Sequence, residues 1–228
     1  MRLLILLAPL LLLLAWAPGL WVRHVMKKYH QPADRYGGTG AELARDLLDR
    51  HGLHKVRVET TTKGDHYDPD ARTVRLSEEN HDGHSLTAVT VAAHEVGHAI
   101  QHAEGYAPLR MRSYLVCVAG YGQQIGAWLL VAIPFITILA RHPAPAILFL
   151  LAGVLSMGLA ALVHFITLPT ELDASFRRAM PMLRDGKYLH PPDYPHAERI
   201  LKAAAYTYLS QSLMSLLNIA SWFRYLRR

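Results

Sequence analysis

The stretch 92-AAHEVGHAIQH-102 places three histidines and a glutamate in one helix-like run. His94 and His98 are one helical turn apart, so on a helix they share a face, with Cβ atoms about 5–6 Å apart. Two imidazoles so placed can converge on one ion at about 2.0–2.1 Å. Glu95 borders that face without being forced onto the ion. This is the His-Glu-x-x-His pattern, in which the glutamate acts as general base on a zinc-activated water. His102 is too far along to join. It lies two turns beyond His94, about 12 Å along the axis at about 1.5 Å per residue. The longer pattern with a third histidine fails too, because Gln101 holds the glycine place and Glu104 the last ligand place. Ser85 is the expected N-cap, and the alanines and valines from Ala88 to Ile100 predict a helix that is partly buried. Gly97, between the two histidines, predicts the close approach of another backbone.

Outward from this run, the chain is apolar in blocks. It has 228 residues, 51% of them hydrophobic, and a mean hydropathy of +0.11. Uncharged runs cover Leu3–Val22, Leu115–Ala140, Ala144–Pro169 and Ala203–Phe223. A run of about 20 apolar residues is enough to cross a hydrocarbon core of about 30 Å. The first three read as spans, and the fourth as a span or an interfacial helix. Ala15-Trp16-Ala17 is compatible with signal-peptide cleavage, but the apolar run continues past it and then meets Arg23, Lys27 and Lys28, which favours an anchor. The net charge of +6 sits in arginines and lysines that flank these runs. It therefore points to anionic lipid rather than to nucleic acid. One cysteine, Cys117, excludes an internal disulfide. The greater positive charge after the first run than before it predicts that the region from Arg23 lies in the cytoplasm.

Two polar regions remain. In 23–113, Gly40–Arg50 reads as a helix stopped by Gly52, and Lys55–Thr62 and Arg72–Leu76 read as strands around the turn-rich GDHYDPD. His66 or Tyr67 in that turn is a candidate neutral donor to an oxyanion, and the nearby strand edge could pair with an extended peptide. In 170–199, the segment 168-LPTELDAS-175 opens a helix with no breaker before Met180. It supplies Glu171 and Asp173 as candidate third ligands. Two residues apart on an α-helix is a rotation of about 200°, so one of them serves and the other points away. Glu171 is preferred for its reach, with Arg178 on its face as a restraining cation and Asp173 fixing the helix. A short loop at 141–143 makes the second and third runs a hairpin, which returns this acidic segment to the histidines.

His94-Glu-Val-Gly-His98-Ala-Ile-Gln, Gly-Asp-His-Tyr-Asp-Pro at 64–69, Val-Arg-Leu-Ser at 74–77 and Leu-Pro-Thr-Glu-Leu-Asp-Ala-Ser together resemble the bacterial neutral zinc metallopeptidase family, the YugP-like membrane peptidases. The resemblance covers nearly the whole chain. It implies a zinc-dependent peptidase of the bacterial cell membrane, acting on peptide or protein substrates. Ser175 stands where related membrane peptidases with a Glu-x-x-x-Asp helix carry an aspartate.

The fold expected is a mostly α, multi-pass membrane protein with three or four transmembrane helices and a small zincin-like α+β domain. Its parts are an anchor at 1–22, a peptidase domain at 23–113, a transmembrane hairpin at 114–169, a third-ligand helix and loop at 170–199, and a hydrophobic helix at 200–228. The expected site is one Zn2+ on His94, His98 and Glu171, with Glu95 as base and His66, Tyr67, Asp173 and Arg178 around it, on the cytoplasmic side. Two other readings stay open: a non-catalytic membrane scaffold that keeps a metal site, and an intramembrane protease. The charged flanks of the motif helix speak against the latter.

Overall fold

The computed structural model describes residues 17, 19–140 and 167–206, with 147, 148, 151, 152, 155 and 163. The chain divides into two units. One comprises Met1–Trp16, Met111–Leu168 and Tyr208–Arg228, and the other Ala17–Arg110 and Pro169–Thr207. The candidate site lies wholly in the second.

That unit begins with helix α1, residues 19–29. Val22, Val25 and Tyr29 recur at helical spacing and are all buried, so α1 contributes one apolar stripe to the core. This helix runs across the boundary between residues 22 and 23. Helix α2, Gly40–Arg50, is closed at its start by a capping box: Thr39 accepts from the Glu42 amide, and Glu42 accepts from the Thr39 amide. Leu43, Leu47 and Leu48 form its buried face. At its end Gly52 has φ +71°, the left-handed conformation that glycine adopts at no steric cost.

Three short strands follow: β1 (Arg57–Thr60), β2 (His66–Asp68) and β3 (Thr73–Leu76). The turn-rich stretch is itself the site of a strand. The sheet order is β1-β3-β2, with β1 parallel to β3 and β2 antiparallel to it. In place of the two expected strands paired directly across the turn, β2 and β3 form an antiparallel pair and β1 lies parallel on the other side of β3. β3 is central, and Thr73, Val74 and Leu76 are fully buried. A short helix α3, Glu78–His81, leads into the motif helix α4, Leu86–Ala103. Ser85 caps α4 by accepting from the Ala88 amide, and every residue from Leu86 to Gln101 is buried.

Helix α5, Ala107–Ala140, starts in this unit and continues in the other. Helix α6, described over residues 167–185, is π-helical over Asp173–Ala179 and returns to α geometry at Met180–Asp185. A 3₁₀ turn at Pro191–Asp193 and helix α7, residues 194–206, complete the unit. Met180, Leu183, Leu189, Ile200 and Leu201 join the core built on α2 and α4.

The expectation of a multi-pass membrane protein with three or four spans is corrected. Among the described residues, no helix is long and apolar enough to cross a membrane. Of the four apolar runs, only Leu115–Ala140 falls within a described helix. That helix, α5, carries Arg110 and Arg112 in its opening turns. Leu3–Val22, Ala144–Pro169 and Ala203–Phe223 lie largely outside the described residues. Placement of the site on the cytoplasmic side rested on these runs and loses its basis with them. The described part is a helix-rich α+β fold with one small mixed sheet.

Candidate metal centre

Helices α4 and α6 meet at Gly97. A Cβ there would stand 2.7 Å from the Ala174 carbonyl oxygen, closer than any side chain tolerates, so the bare glycine is what lets α6 lie directly on the motif helix. The contact brings Glu171 to the histidines. Its Oε2 lies 3.3 Å from His94 Nε2 and 3.4 Å from His98 Nε2. The donor atoms of the three residues all lie within 4.8 Å of one another, and all three residues are buried. A tetrahedral ion with bonds of about 2.0–2.1 Å keeps its ligand atoms about 3.3–3.4 Å apart. The two measured separations match that spacing. Two imidazole nitrogens and a carboxylate oxygen are the donor set of hydrolytic zinc sites.

Glu171 is 1% exposed. Burial opposes its ionisation, but electrostatic attraction to His98 and hydrogen bonding with both histidines outweigh that and hold its carboxyl well below the usual range. Glu95 is 6% exposed and sits on α4 beside His94.

The rear of each ring is held as well. His94 Nδ1 lies 3.1 Å from Ser175 Oγ. His98 Nδ1 lies 2.9 Å from Gln101 Oε1. Gln101 in turn donates through Nε2 to the Thr170 carbonyl at 2.9 Å and to Asp173 Oδ2 at 2.8 Å. Arg178 Nε donates to the same Asp173 oxygen at 2.8 Å, and its Nη1 lies 2.9 Å from Glu104. Such contacts orient metal ligands and tune their basicity.

Asp173 therefore approaches α4 beside Glu171 instead of pointing away, and Arg178 restrains Asp173 instead of Glu171. The π-helical stretch is the reason. The Met180 amide bonds back to the Ser175 carbonyl, the i→i−5 pattern that widens each turn. Residues five apart then align, as Asp173 and Arg178 do. Burial opposes ionisation of Asp173, yet Gln101, Arg178 and Arg177 lower its carboxyl below the usual value.

The two expected oxyanion donors are placed otherwise. His66 Nδ1 turns back to the Gly64 carbonyl at 2.8 Å. The Tyr67 hydroxyl lies 2.8 Å from His102 Nδ1, at the end of α4. Burial pushes the Tyr67 phenol up to about 12, so it is neutral at physiological pH. In the sequence, Gln101 and Ser175 stand out only as departures from related patterns. Their spacing, three residues after His98 and four after Glu171, was the available signal.

The chain matches, over residues 3–227, the model of a family described as "Putative neutral zinc metallopeptidase". The chain belongs to this neutral zinc metallopeptidase family. It is also similar to a Bacillus subtilis (strain 168) protein described as "Putative membrane protease YugP". The two are 34% identical over 200 residues, covering 87% of this chain and 85% of the relative. No solved structure matches. Membership of the neutral zinc metallopeptidases makes zinc the metal for which the donor set is to be judged, and His94, His98 and Glu171 fit it.

Proposed function

We propose that the protein is a zinc-dependent endopeptidase that cleaves peptide bonds with Glu95 as general base. The observation that carries this is the Glu171 oxygen at 3.3 and 3.4 Å from the two imidazole nitrogens of the motif, with buried Glu95 alongside. Three protein donors form the group, the number that catalytic zinc sites use while keeping one position for water. Zinc bound there supplies a Lewis acid and lowers the pKa of its water toward about 7. Glu95 accepts the proton of the attacking water as the new C–O bond forms. It then delivers that proton to the amine nitrogen as the C–N bond breaks. Burial of Glu171 and the histidines keeps competing bulk water from the donors.

β2 is an edge strand, and its Tyr67 meets α4 at His102. An extended peptide that adds to this edge runs beside the motif helix, with main-chain hydrogen bonds providing affinity. Tyr67, bonded to His102, and His66, turned back to Gly64, are given no step. The name of the Bacillus relative, together with exposed Trp128, Val131, Phe135 and Leu139 on α5, supports a lipid surface as the setting of the reaction.

The test is zinc analysis of the purified protein beside its Glu95→Gln variant, with cleavage of an unfolded protein measured for both. Stoichiometric zinc in both and cleavage only by the wild type is the expected result. A wild type that holds no zinc, or a variant that cleaves equally well, overturns the reading.

A further inference from the structure

Helices α2, α4 and α6 leave a cleft of about 440 Å³ between them, and none of His94, Glu95, His98 and Glu171 lines it. Ile100 does. It lies two positions after His98, a rotation of about 200° on an α-helix, so the cleft opens on the face of α4 opposite the imidazoles. Ligand sites have volumes of about 300–1,000 Å³ and combine an apolar lining with a few placed polar groups.

This lining has that make-up. Leu47 of α2, Ile100 of α4 and Met182 of α6 form an apolar floor, and all three are buried. Tyr188 forms a wall that is held on several sides. Its hydroxyl donates to Asp46, and its ring faces the Arg50 guanidinium at 5.4 Å. The ring also lies against Gly186, where a Cβ would overlap it. The rim is charged. Arg178 is engaged by Asp173 and Glu104, and Arg50 by Asp46. Arg177 is different. It lines the same cleft and is exposed, and among the described residues its guanidinium has no hydrogen-bonded or ion-paired partner.

An uncommitted guanidinium beside an apolar floor fits an anion joined to an apolar group, and its fork matches a carboxylate with two parallel bonds. Asp185 stands on the same rim. It repels a multiply charged anion and can accept from peptide N–H groups. Hydrolysis of a peptide bond creates a free carboxylate at every cut, so the product of the proposed reaction carries the chemistry that this rim receives.

We propose that the cleft is a product site: it binds the C-terminal end of a short peptide, with the carboxylate on Arg177 and an apolar last side chain on Leu47, Ile100 and Met182. This rests on the peptidase reading. A peptide lodged there lies on the far face of α4 and is not placed to be cut. It acts on the metal centre through Arg178, which borders the cleft and holds Asp173, the partner of Gln101 behind His98. A carboxylate beside Arg177 competes with Asp173 for Arg178 and loosens that support. Product thus weakens the zinc site, and by linkage zinc weakens product binding by the same factor.

The experiment titrates the full chain, zinc-loaded and after chelation, with the peptide Ala-Ala-Leu and with its C-terminal amide, in a calorimeter. Ala-Ala-Leu should bind at one site in both forms. The amide should bind about tenfold more weakly or worse, and Arg177→Ala should lose as much for the free acid. The amide comparison needs no variant, so it stands even where Arg177→Ala fails to fold. Saturating peptide should raise the zinc dissociation constant, from chelator competition, by about fivefold or more. Equal binding of acid and amide overturns the proposal, as does wild-type affinity in a folded Arg177→Ala. Binding that vanishes on chelation overturns it too, since the peptide would then sit on the metal. Zinc affinity unchanged by peptide overturns the link through Arg178. Arg177-dependent binding in a chain that holds no zinc supports the cleft and overturns the peptidase reading, whereas a chain that cleaves unfolded protein and ignores Ala-Ala-Leu does the reverse.

Discussion

In the proposed mechanism, Glu95 and Glu171 are carboxylates of one buried site with opposite tasks. Glu171 faces both imidazoles and is held ionised by them. Glu95 must take up and release a proton. Glu95→Gln preserves shape but cannot accept a proton. It should retain zinc and slow peptide cleavage by about 10²–10⁴-fold, as measured with an unfolded substrate. Glu171→Ala should lose zinc and activity together. In Asp173→Ala the donor triad stays whole, and Gln101 keeps its bond to Thr170. Metal analysis should therefore find zinc retained, with weaker affinity and a lower melting temperature. Full zinc in Glu171→Ala and none in Asp173→Ala would reverse the assignment. His94, Glu95 and His98 were legible in the sequence because helical spacing alone aligns them. Glu171 was reached as an acid with a plausible route back to the histidines. Gln101 was not read as a partner, because its role depends on which atoms of α6 cross behind it, and spacing does not encode a crossing.

At the scale of elements, the crossing of α4 and α6 turns on one missing methyl group. Alanine is a better helix former than glycine by about 1 kcal/mol, so Gly97→Ala would stabilise an isolated α4. In the folded protein the added Cβ meets the Ala174 carbonyl at 2.7 Å. Overpacking of this kind costs about 1–3 kcal/mol and pushes Glu171 away from the histidines. Steric cost should win. The variant is expected to melt lower and to bind zinc more weakly, in calorimetry and chelator competition; a more stable Gly97→Ala with unchanged affinity would mean that the helices are not in contact there. The sequence suggested a close backbone at Gly97 but not the π-helical stretch. Nothing in 173-DASFRRA-179 breaks a helix, and the extra residue per turn shows only in the hydrogen bonds. β2 was hidden for another reason. A three-residue strand is too short to display alternation, and its neighbours Gly64, Asp65, Pro69 and Asp70 are turn formers.

At the scale of the site-bearing unit, a clasp ties the segment after α1 to the 3₁₀ turn. Arg35 makes two bonds of 2.6 Å to Asp193, and the Tyr36 hydroxyl a third at 2.5 Å. Asp193 is 1% exposed. Burial alone would raise its carboxyl, but the bonds from Arg35 and Tyr36 prevail and lower it below the usual value. A group whose pKa is lowered by folding adds stability above its unfolded value, about 3.9, and that contribution fades as pH falls through the folded value. The melting temperature of the wild type should therefore drop more steeply below about pH 4 than that of Asp193→Asn, which starts lower at neutral pH. Parallel curves would mean that the clasp carries no such linkage. Zinc should act in the same direction on the whole unit. A metal that binds only the folded form at about 100 times its dissociation constant adds about 2.7 kcal/mol, so chelation should lower the melting temperature reversibly. Hydropathy blocks were plain in the sequence, yet three of the four lie largely outside the described residues, and among the described residues no helix is long and apolar enough to cross a membrane.

The unit that holds the site is discontinuous, with Met111–Leu168 inserted between its two parts. Ser175, beside His94, follows it by 81 residues. A ribosome adding about 5–20 residues per second takes about 4–16 s over that interval. For most of it the emerging chain has Glu95 and two histidines but neither Glu171 nor the helix that carries it. A stalled or truncated product ending in the insertion is in the same condition. If the site is the proposed peptidase centre, interleaving the donors in this way works as a biosynthetic safety catch: the centre is armed only when the second part of its unit has been made and folded back onto the first.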